Sequence, residues 1–296
     1  MTISLQHVSI LTPDIGSTIS FYSEMLGMHL IDQFVQEQGS TVASLCDGHR
    51  SSPFSIILIS PPYTGWMKET YEERGPSISH LSFLVDDVDA WYKDLDGNGA
   101  NLIHKPHRFP NGRHMYLQDP DGVVVEIMSL IDTVSSEKQP RLATGEGFSH
   151  TLHHTSITCN NLDSLEGFYR HHLRMETFYE RREHDIIFLA DPALIKDKSR
   201  SCPALELIGP KCHNDRNSPF LRRFGPYLDH ISFLVDDVDA AHAELLSKGV
   251  KFDIEPMDFP PNRIAFFRDP NGISIELELG LWDERIEAWR KRRFHS

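Results

Sequence analysis

The chain repeats itself. Ser79-His80-Leu81-Ser82-Phe83-Leu84-Val85-Asp86-Asp87-Val88-Asp89-Ala90 returns 150 positions later as Asp229-His230-Ile231-Ser232-Phe233-Leu234-Val235-Asp236-Asp237-Val238-Asp239-Ala240, with ten of twelve positions identical. The same offset carries Asp119-Pro120-Asp121-Gly122-Val123-Val124-Val125-Glu126 onto Asp269-Pro270-Asn271-Gly272-Ile273-Ser274-Ile275-Glu276. A match of this length at a fixed spacing marks a duplicated structural unit. The amino-terminal halves pair more loosely at an offset of 147, Gln6-His7-Val8-Ser9-Ile10 with His153-His154-Thr155-Ser156-Ile157 and Phe21-Tyr22 with Phe168-Tyr169. The expected organisation is module one at 1–132, a linker without apolar periodicity at 133–149, module two at 150–281 and a helical tail at 282–296.

Within a module the pattern reads as strand, helix and three strands, twice over. Leu5 to Thr12 is short and β-rich, and Ile15 to Leu26 spaces Ile19, Tyr22 and Leu26 as a helix that Asp14 can cap. His80 to Val85 reads as a strand, Val88 to Gly97 as a helix opened by Asp86-Asp87, and strands follow near Leu102, Tyr116 and Val123 to Met128. Asp-Pro-Asp-Gly is the turn between the last two.

A formal charge of −14 over 296 residues repels a phosphate backbone and an anionic lipid surface, so neither nucleic acid nor membrane is an expected partner. The longest apolar runs, such as Ile56-Ile57-Leu58-Ile59, have strand length, and the first residues carry no basic segment followed by a long apolar one. A cytoplasmic location is the expectation. Cys46, Cys159, Cys202 and Cys212 are scattered and read as reduced thiols. What remains is small-molecule chemistry, with a homo-oligomer left open.

His7, His80 and Glu126 each fall in a strand, as do His154, His230 and Glu276. Strand side chains alternate between faces, and the apolar neighbours turn all six polar residues toward one side of their sheet. Two imidazoles and a carboxylate on one concave face suit Fe(II), Mn(II), Ni(II), Zn(II) or Co(II). A carboxylate flanked by Val and Ile is unfavourable to bury unless a cation or donor compensates it. Module two carries a further strand-borne carboxylate, Glu206, in Ala204-Leu205-Glu206-Leu207-Ile208, whereas its module-one counterpart within Ser55 to Ser60 is apolar.

The strand-borne histidines, the His-x-Ser-Phe-x-Val opening and the Asp-Pro-x-Gly-x-x-x-Glu ending resemble the vicinal oxygen chelate superfamily over nearly the whole chain. The resemblance implies an α+β fold of two tandem modules, each of paired βαβββ units forming a curved, cup-like mixed sheet. It implies a vicinal-oxygen substrate and a divalent metal. Half-modules in that superfamily pair within or across modules, so the ligands could group as His154, Glu206, His230 and Glu276, or as His154, Glu206, His80 and Glu126.

Among the superfamily's activities, the two-module length is similar to the type I extradiol dioxygenases, which open a catechol with Fe(II) and O₂. Those enzymes place a His and a Tyr nine residues apart with the Tyr ten residues before the metal Glu. Here His107, Tyr116 and Glu126 keep that spacing. The resemblance therefore implies an oxidoreductase, with His107 moving a proton and Tyr116 steadying the reacting oxygen. Module two departs, with Met257 and Phe266 at those positions, and His49 or His114 would have to replace a further acid-base His. The alternatives are a glyoxalase- or epimerase-type non-redox enzyme, a lyase or isomerase for which Glu206 would be the fourth ligand, and a metal-free binding protein.

Overall fold

The computed structural model describes residues 3–47, 54–63, 78–109, 112–130, 150–195, 203–213, 228–259 and 262–279. The linker at 133–149, the tail at 282–296 and His49 lie outside the described residues.

Four βαβββ units follow one another. The first holds β1 (Ile3–Leu11), a helix, β2 (His29–Val35), β3 (Thr41–Cys46) and β4 (Ser55–Ile59). The second holds β5 (Ile78–Val85), β6 (Asn101–Phe109), β7 (Gly112–Gln118) and β8 (Val124–Leu130), with the helix Val88–Gly97 after β5. The third holds β9 (His150–Thr158), the helix Leu162–His172, β10 (Glu176–Arg181), β11 (Ile186–Ala190) and β12 (Ala204–Ile208). The fourth holds β13 (Leu228–Val235), the helix Val238–Ser247, β14 (Phe252–Phe259), β15 (Asn262–Arg268) and β16 (Ser274–Leu279).

The units are not assembled module by module. One eight-stranded sheet runs β14-β15-β16-β13-β1-β4-β3-β2 and the other β10-β11-β12-β9-β5-β8-β7-β6. Each sheet therefore joins half of module one to half of module two, through the antiparallel pairs β1/β13 and β5/β9. This pairing brings together the set His154, Glu206, His80 and Glu126.

Repeated local chemistry makes the units alike. Asp87 accepts from the amides of Asp89 and Ala90, and Asp237 from that of Ala240, so the duplicated Asp-Asp-Val-Asp is a helix cap worth about 1 kcal/mol in each copy. The first helix differs from the expected single α-helix, because Ile15–Ser20 widens into a π-turn over Phe21–Met25. In the Asp-Pro-x-Gly turn, Asp119 Oδ1 accepts from the amides of Asp121 and Val123, as Asp269 Oδ1 does from Asn271 and Ile273. Gly122 (φ 88°) and Gly272 (φ 84°) take the left-handed backbone these turns require.

Those turns also interlock the sheets. Tyr22, fully buried beside the first sheet, donates to Asp119 Oδ2 of the second at 3.1 Å, and Tyr169 donates to Asp269 Oδ2 at 2.9 Å in the reciprocal direction. The largest apolar cluster accordingly includes strand residues of both sheets, among them Leu5, Phe233, Phe83 and Leu152. No helix among the described residues is long and apolar enough to cross a membrane.

Candidate metal centres

Each sheet presents one cup at its central antiparallel pair. In the β5/β9 cup, His80 lies opposite Ser156 and Ser82 opposite His154. Ser82 neighbours Glu126 on β8, and Ser156 neighbours Glu206 on β12. Directly paired residues share a face, so two imidazoles and two carboxylates converge. His80 Nε2 lies 3.8 Å from Glu126 Oε2 and 3.5 Å from Glu206 Oε2, and His154 Nε2 lies 3.5 and 3.4 Å from the same two atoms. All four residues are buried.

This donor set fits a divalent cation. Donors about 2.1 Å from a tetrahedral ion are separated by about 3.4 Å, close to the four histidine–glutamate spacings found, and the ligand atoms of His80, Glu126 and His154 all lie within 4.8 Å of one another. His154 Nε2 is buried without a hydrogen-bond partner among the described residues, although two carboxylate oxygens face it. Burial pushes His80 below its ordinary value, which favours the neutral, ligating imidazole. For Glu126 burial opposes ionisation, but His114, then His80 and His154, hold the carboxyl well below the usual range. Glu206 is held low against the same burial by His154 and His80.

The surrounding polar groups orient the ligands. Ser82 donates to Glu126 Oε2 at 2.6 Å, Ser156 donates to Glu206 Oε2, Ser79 Oγ lies 3.1 Å from His80 Nδ1, and His153 Nδ1 lies 2.7 Å from His154 Nδ1. Tyr116 donates to Glu126 Oε1 at 2.8 Å, and His114 Nδ1 donates to the same oxygen. His107 stands further out, half-buried, its Nδ1 3.4 Å from the Lys105 carbonyl and its ring 6.4 Å from that of Tyr116. His104, which sequence reasoning missed, packs on both His107 (4.9 Å) and Tyr116 (5.4 Å).

The β1/β13 cup assembles His7, His230 and Glu276. Their facing atoms are separated by 3.2 Å (His7 Nε2 to His230 Nε2), 3.4 Å (His7 to Glu276 Oε2) and 3.1 Å (His230 to Glu276 Oε2). The slot that Glu206 fills in the other cup holds Ile57, paired with Ser9 as Glu206 is with Ser156. Both Nδ1 atoms here meet carboxylates, His7 with Glu278 Oε1 at 3.0 Å and His230 with Asp229 Oδ2 at 2.8 Å. Burial would lower His230, but Glu276 and Asp229 outweigh it and raise the imidazole to about 10. Asp229 and Glu278 also escaped sequence reasoning. Glu278 could have been found from its i+2 spacing to Glu276, which puts both on one strand face.

The chain matches the family model described as the glyoxalase/bleomycin resistance protein/dioxygenase superfamily twice, over residues 4–127 and 151–277. It is 25% identical to a lactoylglutathione lyase of Schizosaccharomyces pombe, across 93% of this chain and 96% of the relative. It is also 25% identical to glyoxalase I of Saccharomyces cerevisiae, across 93% and 92%. The crystal structure of glyoxalase I from Zea mays shares the fold, with a TM-score of 0.71 and 19% identity over 100% of this chain and 98% of that one.

The expected oxidoreductase is thereby corrected, since the full-length relatives are named lactoylglutathione lyase and glyoxalase I. The physical reason is visible in the cups. A bidentate diolate plus O₂ needs three free positions on a six-coordinate ion, and in the cup that carries His107 and Tyr116 a second carboxylate, Glu206, crowds that space, 3.5 and 3.4 Å from the two histidine Nε2 atoms. The cup with three donors has Phe266 and exposed Met257 in their places. The preference for Fe(II) and O₂ rested on that reading and goes with it. Two groups of side chains able to hold a divalent metal stand, and the chain belongs to the glyoxalase/bleomycin resistance protein/dioxygenase superfamily.

Proposed function

We propose that this chain is a metal-dependent lyase of the glyoxalase I type, working in the β5/β9 cup on the adduct of glutathione with a 2-oxoaldehyde. The observation that carries the reading is the four-donor set of His80, Glu126, His154 and Glu206, with every pairing of a histidine Nε2 and a glutamate Oε2 between 3.4 and 3.8 Å. The names of the two full-length yeast relatives, lactoylglutathione lyase and glyoxalase I, support it. Modules 1–132 and 150–281, joined by 133–149 and followed by the tail at 282–296, each give one half to this cup.

A lactoyl thioester is an isomer of the hemithioacetal formed by a thiol and a 2-oxoaldehyde. Converting one to the other moves a proton between adjacent carbons, consumes no oxidant and leaves two oxygens vicinal throughout. A divalent cation held by the four residues supplies Lewis-acid stabilisation of negative charge on those oxygens. The chain supplies the rest. Glu126 and Glu206, both depressed below the ordinary carboxylate range, are ionised at neutral pH, and Glu206 stands where a proton must be taken up and returned. His80 and His154, held through Nδ1 by Ser79 and His153, keep fixed ring orientations. Phe188, packed edge-on to His154 at 5.1 Å, shields that wall from water.

The test is purified protein loaded with Zn(II) or Ni(II) and given methylglyoxal plus glutathione, with thioester formation followed by absorbance and oxygen by electrode. Thioester should accumulate without oxygen uptake. Absence of thioester with either metal would overturn the reading.

A further inference from the structure

The two cups hold their β8-type glutamate differently. Glu126 Oε1 accepts from Tyr116 Oη at 2.8 Å and from His114 Nδ1, while Oε2 accepts from Ser82 and faces the two histidine Nε2 atoms. The donors are alternate residues of β7, so they share one face, and Tyr116 pairs directly with Glu126 in the β7/β8 register. Gly112 at the start of β7 permits that close approach, because a Cβ there would sit 2.0 Å from the Ser129 carbonyl oxygen. At the same positions of the other cup stand Ile264 and Phe266, which donate nothing, and Phe266 pairs with Glu276 as Tyr116 does with Glu126.

We infer that His114 and Tyr116 are positioning residues that occupy Glu126 Oε1 and so hold this glutamate as a one-oxygen ligand, presenting Oε2 alone to the cation. The inference rests on the reading that this cup binds metal. A carboxylate with one free oxygen can rotate or chelate through both. With Oε1 engaged by two donors that are themselves fixed in a strand, neither movement is open to Glu126 without breaking a buried hydrogen bond. Glu126 is therefore the rigid carboxylate of the cup, and metal affinity depends on two side chains that do not touch the ion.

The experiment titrates Zn(II) against a chromophoric chelator in a His230→Ala background, so that the β5/β9 cup is read alone. Tyr116→Phe and His114→Ile, which copy the other cup, should each raise the Zn(II) dissociation constant by about tenfold, in the range usual for groups that orient metal ligands. His114→Asn, which keeps an N–H donor, should restore most of the loss. The visible spectrum of the Co(II)-loaded protein should change in intensity in Tyr116→Phe, because freeing Oε1 alters the coordination number. Unchanged affinity and unchanged Co(II) spectrum in variants that retain the far-ultraviolet dichroism of the parent would overturn the inference while leaving the metal reading intact. A parent protein that binds no Zn(II) would overturn both.

Discussion

The two cups share a backbone and differ in charge. Both place two histidines on an antiparallel strand pair and a glutamate on the parallel strand beside it, at equivalent points. In the β5/β9 cup a second carboxylate, Glu206, completes the set, and His80 is pushed toward the neutral form by burial. In the β1/β13 cup Ile57 takes that slot, and Asp229 and Glu276 stabilise His230 as a cation. One arrangement presents lone pairs to a metal, and the other satisfies much of its charge internally as an ion-pair network. The ligands are kept by duplication, but which chemistry they perform is set by neighbours one strand away, where the copies have diverged.

The largest test of this contrast exchanges the divergent slot. Glu206→Ile, which makes the β5/β9 cup resemble its partner, should, on the proposed function, reduce thioester formation by on the order of 10³-fold, measured as kcat/KM, since it would remove a ligand and a proton acceptor together. The reverse substitution, Ile57→Glu, should destabilise the metal-free protein by about 3 kcal/mol by burying an unpaired charge. Zn(II) should return that stability, because a cation held by His7, His230 and Glu276 would compensate the new carboxylate beside them. Thermal unfolding with and without Zn(II) reads both effects, and a variant that gains nothing from the ion would show that three retained ligands do not make a latent site.

Much of this was legible in the sequence, and the reason is the repeat itself. Positions kept in both copies, His7 with His154, His80 with His230 and Glu126 with Glu276, stand out against diverged surroundings. Glu206 was legible because the resemblance to glyoxalase-type enzymes implies a further carboxylate ligand, and Ala204-Leu205-Glu206-Leu207-Ile208 holds one where the module-one counterpart is apolar. Two things were not. Whether His154 faces His80 or His230 depends on long-range strand pairing, which no local pattern encodes, and both groupings satisfied the alternation equally. His114 was read only as a stand-in acid-base group, because its counterpart is Ile264 and a repeat highlights what is shared. Tyr116 was found from the spacing that the resemblance to extradiol dioxygenases implies, but its hydroxyl engages Glu126 Oε1, a contact that becomes visible only once β7 is seen paired with β8.

A smaller effect separates the cups by pH. A group raised above its unfolded value stabilises the fold while protonated, so His230, raised to about 10, contributes stability that is complete below about pH 6.5 and is lost as pH rises toward 10. A cation entering the β1/β13 cup must displace that proton, and its apparent affinity should rise by about tenfold per pH unit between pH 7 and 9. His80 is lowered, so loading of the β5/β9 cup should have no such dependence from His80 over that range. Competitive titration at several pH values, with His7→Ala and His154→Ala used to read one cup at a time, checks the difference. Parallel slopes would remove the electrostatic distinction drawn between the sites.

The smallest expected effect concerns one hydroxyl. Phe266 stands over His230 edge-on, with centroids 5.3 Å apart at 89°, much as Tyr116 stands over His80 at 5.9 Å and 87°. Phe266 also pairs directly with Glu276 across β15 and β16, so Phe266→Tyr should place its new hydroxyl against that carboxylate. Half of the Glu126 clamp would then exist in the other cup, without the imidazole that Ile264 replaces. Net hydrogen-bond contributions of about 1 kcal/mol bound the gain at several-fold, and competition from His230 for Glu276 Oε2 should keep it to about threefold in Zn(II) affinity. A gain that appears only above pH 8 would show that the imidazolium, rather than the missing hydroxyl, limits this cup.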